Sequence, residues 1–135
     1  MSTDHDAKVD ALFDGYAEAR RLFEVVRKFV ESLGPVSVEG MKTQVSFGAR
    51  RTFAWVWLPQ IWTSKRPETS ITLTFSLKHQ VDDERIAESM ESKPGVWTHH
   101  VVIEHEREFD DAVRGWIREA YASGNSGSAR RYRQA

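Results

Sequence analysis

Apolar residues in the first third of the chain recur at steps of three and four: Val9, Leu12, Phe13, Tyr16, Ala19, Phe23, Val26, Val30 and Leu33. A helix gathers such positions into one stripe, and Glu18, Arg20, Arg21, Glu24, Arg27, Lys28 and Glu31 occupy much of the remaining surface. The pattern predicts helix, with Gly15 as the point where a short helix and a long one can separate. Gly34-Pro35 ends it near Leu33, since glycine accepts a left-handed cap and proline forbids continuation.

From Val36 the period falls to two. Val36 and Val38, then Val45 and Phe47, lie on either side of Glu39-Gly40 and predict two short strands or one bulged strand. The run from Arg51 to Leu58, preceded by Gly48-Ala49-Arg50 and closed by Pro59, is the most apolar and aromatic of the chain and predicts a central strand. Alternation puts Phe53, Trp55 and Trp57 on one face and Ala54, Val56 and Leu58 on the other. Gln60 to Ser70, with Trp62, Lys65, Arg66 and Pro67, predicts a loop. Ile71 to Lys78 alternates without a break, Ile71, Leu73, Phe75 and Leu77 pointing inward and Thr72, Thr74, Ser76 and Lys78 outward.

Val81 to Ser92 carries mixed signals. Ile86 and Met90 suit a helical turn that Asp82-Asp83 would cap, whereas Lys93-Pro94-Gly95 suits a hairpin, and the expectation is an extended, irregular edge. Val96 to Glu106 predicts a strand with Trp97, His99, Val101, Ile103 and His105 on one face and Thr98, His100, Val102, Glu104 and Glu106 on the other. Phe109, Val113, Trp116, Ile117 and Ala120 predict a last amphipathic helix, opened by Asp110-Asp111 and closed near Gly124. The sum is an α+β domain over residues 1–122: N-terminal helix, a twisted, mainly antiparallel sheet of four to five strands, and C-terminal helix, both helices on one face. Residues 123–135, Gly/Ser-rich and then basic at Arg130, Arg131 and Arg133, predict a disordered tail.

Composition narrows the function classes more than it selects among them. A chain of 135 residues with 40% apolar and 11% aromatic content fills one core. A net charge of -1 gives no global field toward nucleic acid or an anionic membrane, so either partner needs a local patch. The absence of cysteine removes disulfides, thiolate catalysis and cysteine-ligated zinc together. Met1 to Asp10 is polar and no run reaches bilayer length, so the expected setting is soluble and cytoplasmic, without a membrane partner.

Four chemistries are open to the remaining residues. A metal site at His99, His100, Glu104 and His105 fails on strand geometry: at about 3.3 Å per residue, His100 and Glu104 stand roughly 13 Å apart and His99 and His105 roughly 20 Å. The expectation is no metal, with one core-facing histidine and one exposed histidine paired with a carboxylate. Catalysis would use His100 as general base, Glu104 as its orienter, and Lys42 and Arg85 to hold an anionic substrate. No serine elbow, phosphate-cradling glycine loop or zinc-protease motif is present, and no cofactor is expected. Single-stranded nucleic-acid binding would draw on Arg51-Thr52-Phe53-Ala54-Trp55-Val56-Trp57-Leu58, which partly follows an RNA-recognition strand, but Thr52 and Leu58 break that pattern and the chain opens with a helix. The leading expectation is a non-catalytic module for a small molecule or protein, with Trp55 and Trp57 as an aromatic wall, Lys42, Arg51, Arg85 and His100 around it, and Trp62 and Trp97 extending it into a groove or a homodimer surface.

Four blocks also carry a family resemblance: Lys42-Thr43-Gln44-Val45-Ser46-Phe47; Arg51 with Phe53-Ala54-Trp55-Val56-Trp57-Leu58-Pro59; Thr98-His99-His100; and Trp116-Ile117-Arg118-Glu119-Ala120-Tyr121. Over residues 10–122 their order and spacing resemble a bacterial family catalogued as Domain of Unknown Function 5655. Asp83-Glu84-Arg85-Ile86-Ala87 departs from that family's Ser-x-Arg block and keeps only the arginine. The resemblance implies the fold and a bacterial, cytoplasmic context, and no activity.

Overall fold

The apolar stripe breaks where glycine leaves ordinary helical space. In the computed structural model, which describes residues 3–58 and 69–134 and the side chains of 7–58 and 69–125, α1 (Thr3–Leu12) and α2 (Ala17–Ser32) are separated by Gly15 at φ +83. After α2, Gly34 takes φ +147, and any β-carbon placed there would run into the Tyr121 hydroxyl. That hydroxyl donates to the Pro35 carbonyl at 3.1 Å, so the helix stop is also a docking point for the C-terminal helix.

Among the described residues six strands follow where four to five were expected: β1 (Ser37–Gly40), β2 (Gln44–Gly48), β3 (Thr52–Trp57), β4 (Ile71–Leu77), β5 (Ile86–Lys93) and β6 (Val96–Ile103). The extra strand arises because both halves of residues 36–47 and the uncertain edge segment all pair. The order is β1-β2-β3-β4-β6-β5, with every neighbour antiparallel. β5 is the edge that the mixed pattern suggests, interrupted by two register shifts, and Gly95 at φ +78 closes its hairpin with β6. A 3-10 turn (Glu106–Glu108) leads into α3 (Asp111–Gln134), whose first turn is capped by Asp110 accepting the Val113 N–H at 3.2 Å.

Register assigns the two sheet faces. Val45 pairs with Val56 and Val56 with Leu73, while Phe47, Ala54, Phe75 and His99 form the next cross-strand row. Phe23 of α2 stacks on Phe47 at 6.0 Å and Trp116 of α3 on Phe75 at 5.8 Å, so α2 and α3 cover one face, as expected. A ring contact between Phe13 and Phe23 at 5.0 Å ties the α1–α2 turn into the same core. His99 belongs to this row: it is fully buried, stacked on Phe75 at 5.2 Å, and its Nε2 accepts the Val81 N–H at 3.0 Å. Burial pushes its imidazole below the ordinary value, toward the neutral form.

One direction read from strict alternation and one expected exposure need correction. Phe53 does not join Trp55 and Trp57: Phe47 pairs with Ala54 while Gly48 pairs with Thr52, so Phe53 is the additional residue of a bulge. Its ring lies edge-on to Tyr121 of α3 at 5.5 Å. Thr72 and Thr74 do point away from the helices, as expected, but are buried, because Trp57 and Trp55 flank them on β3 and Val102 and His100 on β6. Gly124 does not close α3, which runs on to Gln134 over the segment read as a disordered tail. This glycine is a close-approach residue: a β-carbon there would lie 3.1 Å from Phe53 Cβ and 3.3 Å from the Arg51 carbonyl oxygen. The predicted Gln60–Ser70 loop, with Trp62, Lys65, Arg66 and Pro67, and the side chains of Arg130, Arg131 and Arg133 lie outside the described residues.

Candidate functional site

Antiparallel pairing brings the start of β3, the end of β4 and the β5–β6 turn to one end of the sheet. At that end Arg51 is fastened to α3. Its backbone N–H donates to the Gly124 carbonyl at 3.2 Å and its Nη2 to the Ser123 carbonyl at 3.0 Å. The bulge at Phe53 and the missing β-carbon of Gly124 allow this approach. Lys78 follows the last residue of β4, and Lys93 stands beside the Pro94-Gly95 turn.

These ends enclose a cleft of about 390 Å³. Its cations are Arg51, Lys78 and Lys93, its aromatic walls Phe53 and Trp55, and its hydroxyls Thr52, Ser76, Ser92, Thr98 and Ser123. Among the described residues no carboxylate, imidazole or phenol lines it. The Glu91 carboxylate, on the strand that ends at Lys93, accepts the Gly95 N–H at 3.0 Å. Ser76 and Thr98 are direct cross-strand partners, and Thr98 Oγ1 donates to Ser92 Oγ at 3.2 Å, which fixes a short row of hydroxyls across the hairpin. In a chain of net charge -1, three cations without a lining acid make a local positive site against a nearly neutral background. Among the described residues none of the three forms an ion pair. Such a lining suits an anion better than a metal. No group of three or more His, Asp or Glu side chains among the described residues is arranged to hold a metal ion.

Of the residues singled out from sequence, Arg51 and Trp55 line this cleft. Trp57 stands two residues further along β3, half-buried on the sheet face away from the helices. Lys42 is exposed at the β1–β2 turn, where it borders a separate, shallow depression with Lys8, Leu12 and Met41. Arg85 is committed elsewhere. Its guanidinium grips both Asp83 carboxylate oxygens at 3.1 and 3.2 Å, reaches Asp110 at 2.5 Å, and lies 5.4 Å above the Trp116 ring. The hydrogen bond from Arg85 holds the Asp83 carboxyl below its usual range; Asp110 is lowered first by the Val113 N–H and then by Arg85.

His100 is 7% exposed, buried in the sheet rather than on the surface, and its Nδ1 is hydrogen-bonded to Thr74 Oγ1 at 2.7 Å. Glu104 is exposed beyond the end of β6, where its backbone N–H donates to Glu108 at 2.7 Å. Thr74 therefore occupies the position beside His100 that sequence reasoning gives to Glu104. A turn holds Lys42, a loop ion pair Arg85, a sheet face His100 and a strand end Glu104.

Sequence reasoning missed Lys78, Lys93 and the hydroxyl row. Their signal was present but indirect: an antiparallel β3–β4 pair must set the residues after Leu77 beside those before Phe53.

Fold and cleft together define a small α+β domain with helices on one sheet face and a cationic cleft at the end of the sheet. Residues 9–124 match the family model described as Domain of unknown function (DUF5655), and the chain belongs to that family. The match runs from α1 to the last lining residue of the cleft, Gly124. No curated protein and no solved structure matches the chain. Among the described residues no helix is long and apolar enough to cross a membrane.

Proposed function

We propose that this protein is a non-catalytic binding domain for a small anionic ligand, received in the cleft with Trp55 as its aromatic wall and Arg51, Lys78 and Lys93 as its counter-charges. One observation carries the reading: three cations from three strand ends line one cleft to which no described residue contributes a carboxylate. Like charges gathered without an internal counter-ion repel each other, and an anion relieves that repulsion. The size falls in the range of small-molecule sites.

The alternative of an enzyme using His100 has less support. His100 is not a lining residue, and a general base must lie within hydrogen-bond reach of the proton it takes. A nucleic-acid surface needs a basic track longer than one cleft, and Lys42, at the other side of the sheet, does not extend it.

The test is a thermal-shift and calorimetric screen of small organic anions against the wild-type chain and the K78Q/K93Q double variant. Aromatic anions are expected to raise the wild-type melting temperature and to lose most of that effect in the variant. Stabilisation that persists unchanged in K78Q/K93Q would sink the proposal.

A further inference from the structure

We infer that the ligand class is a phosphate monoester carried on a planar heteroaromatic ring, as in a nucleoside monophosphate; this rests on the anion-binding reading of the same cleft. The cations supply the first argument. Arg51, Lys78 and Lys93 come from the start of β3, the end of β4 and the β5–β6 turn, so three separate chain segments each bring one cation to the cleft. A carboxylate is planar, carries one charge and offers two oxygens, which a single guanidinium fork can saturate. A phosphate monoester carries about -1.5 to -2 charge and three terminal oxygens, which suits three cationic donors better than one.

Arg51 is prepared for such a role. Its Nη2 is held by the Ser123 carbonyl and its backbone N–H by the Gly124 carbonyl, which fixes the side chain at the cleft, and a guanidinium has five N–H donors to place.

The walls supply the second argument. Trp55 lies on the same sheet face as Ser76 and Thr98, with Ser92 hydrogen-bonded to Thr98 behind them. An indole offers a stacking surface to any planar ring, and hydroxyls both donate and accept, so they can meet the edge of a heterocycle whatever its pattern. About 390 Å³ accommodates one such unit, which argues for a mononucleotide or the phosphorylated terminal nucleotide of a strand.

Calorimetric titration of the full chain at low salt tests this with the four nucleoside 5′-monophosphates, their nucleosides, inorganic phosphate, benzoate and a short 5′-phosphorylated oligonucleotide. At least one monophosphate should bind about tenfold or more tighter than its nucleoside and than benzoate. K78Q/K93Q, two exposed substitutions, should weaken monophosphate and inorganic phosphate together. Trp55→Leu, checked for folding by its melting curve, should weaken the monophosphate about tenfold and leave inorganic phosphate unchanged. Tighter binding of the oligonucleotide than of any monophosphate assigns the source to a strand end, and equal or weaker binding assigns it to the free nucleotide. Benzoate binding as tightly as every monophosphate, through Lys78 and Lys93, overturns the phosphate class and leaves the anion cleft standing. No anion binding that depends on Lys78 and Lys93 overturns both.

Discussion

Two glycines of α3 should respond to the same substitution with opposite signs. Gly115 and Gly124 both lie within the helix, where replacing glycine by alanine restricts the unfolded chain and is worth about 0.5–1 kcal/mol of stability when the site is open. A β-carbon at Gly115 meets nothing within 4 Å. One at Gly124 lies 3.1 Å from Phe53 Cβ and 3.3 Å from the Arg51 carbonyl oxygen, and a backbone oxygen cannot rotate away. To make room, α3 must lift off the start of β3, and such overpacking costs about 1–3 kcal/mol. Gly115→Ala should therefore stabilise by about 0.5–1 kcal/mol, and Gly124→Ala should destabilise by roughly 1 kcal/mol net. Urea denaturation followed by circular dichroism, with both variants fitted at the wild-type slope, resolves differences of this size. If Gly124→Ala stabilises as much as Gly115→Ala, the close approach of α3 to β3 is wrong, and the wall that Ser123 and Gly124 give the cleft is lost with it.

Other predictions follow from the buried and tied groups. Burial holds His99 below its ordinary value of 6.5, so the unfolded state takes up more protons below that pH and stability should fall as pH drops through it. His79 runs the opposite way, raised by its hydrogen bond to Glu119; its stabilisation is present below the ordinary value and lost as pH rises through the raised one, but both side chains are half exposed and the effect is small. Urea midpoints across about pH 5–8 should slope for the wild type and flatten in His99→Gln, and a slope that survives in that variant assigns the dependence to another group. Gly34→Ala should destabilise by about 1–3 kcal/mol, because φ +147 is strained for any side chain. Tyr121→Phe should cost less than about 1 kcal/mol, since the hydroxyl bond to Pro35 is exposed; thermal melts compare the two. Thr74→Val removes the partner of His100 Nδ1 in a buried row and should destabilise by about 1–3 kcal/mol without changing anion affinity in the cleft.

Much of this fold was legible because its signals are periodic. The unbroken alternation of Ile71 to Leu77 gave β4 and its inward row, the three-and-four stripe gave α2, and Gly34 and Gly95 marked a helix stop and a hairpin. What failed depends on contacts between distant segments. Nothing in the order of residues says that Phe53 bulges onto α3, or that Gly124 is a contact rather than a cap, because both follow from how closely helix and sheet approach. Thr72 and Thr74 read as solvent-facing from their polarity, yet their exposure is decided by the indoles and the imidazole beside them. Arg51 and Trp55 could be picked out locally, from charge and aromaticity. Lys78 and Lys93 emerge as cleft-lining residues only once strand order is known, and Arg85 proves to be held by Asp83 and Asp110.

The cleft itself is tested most directly by amide chemical-shift mapping of the isotope-labelled chain, titrated with a nucleoside monophosphate at low salt. Saturable shifts should concentrate on residues 51–55, 76–78, 92–98 and 120–124, the four segments that form the lining. Shifts concentrated around Arg85 and Asp110, or around Met41 and Lys42, would place any ligand elsewhere and contradict the account.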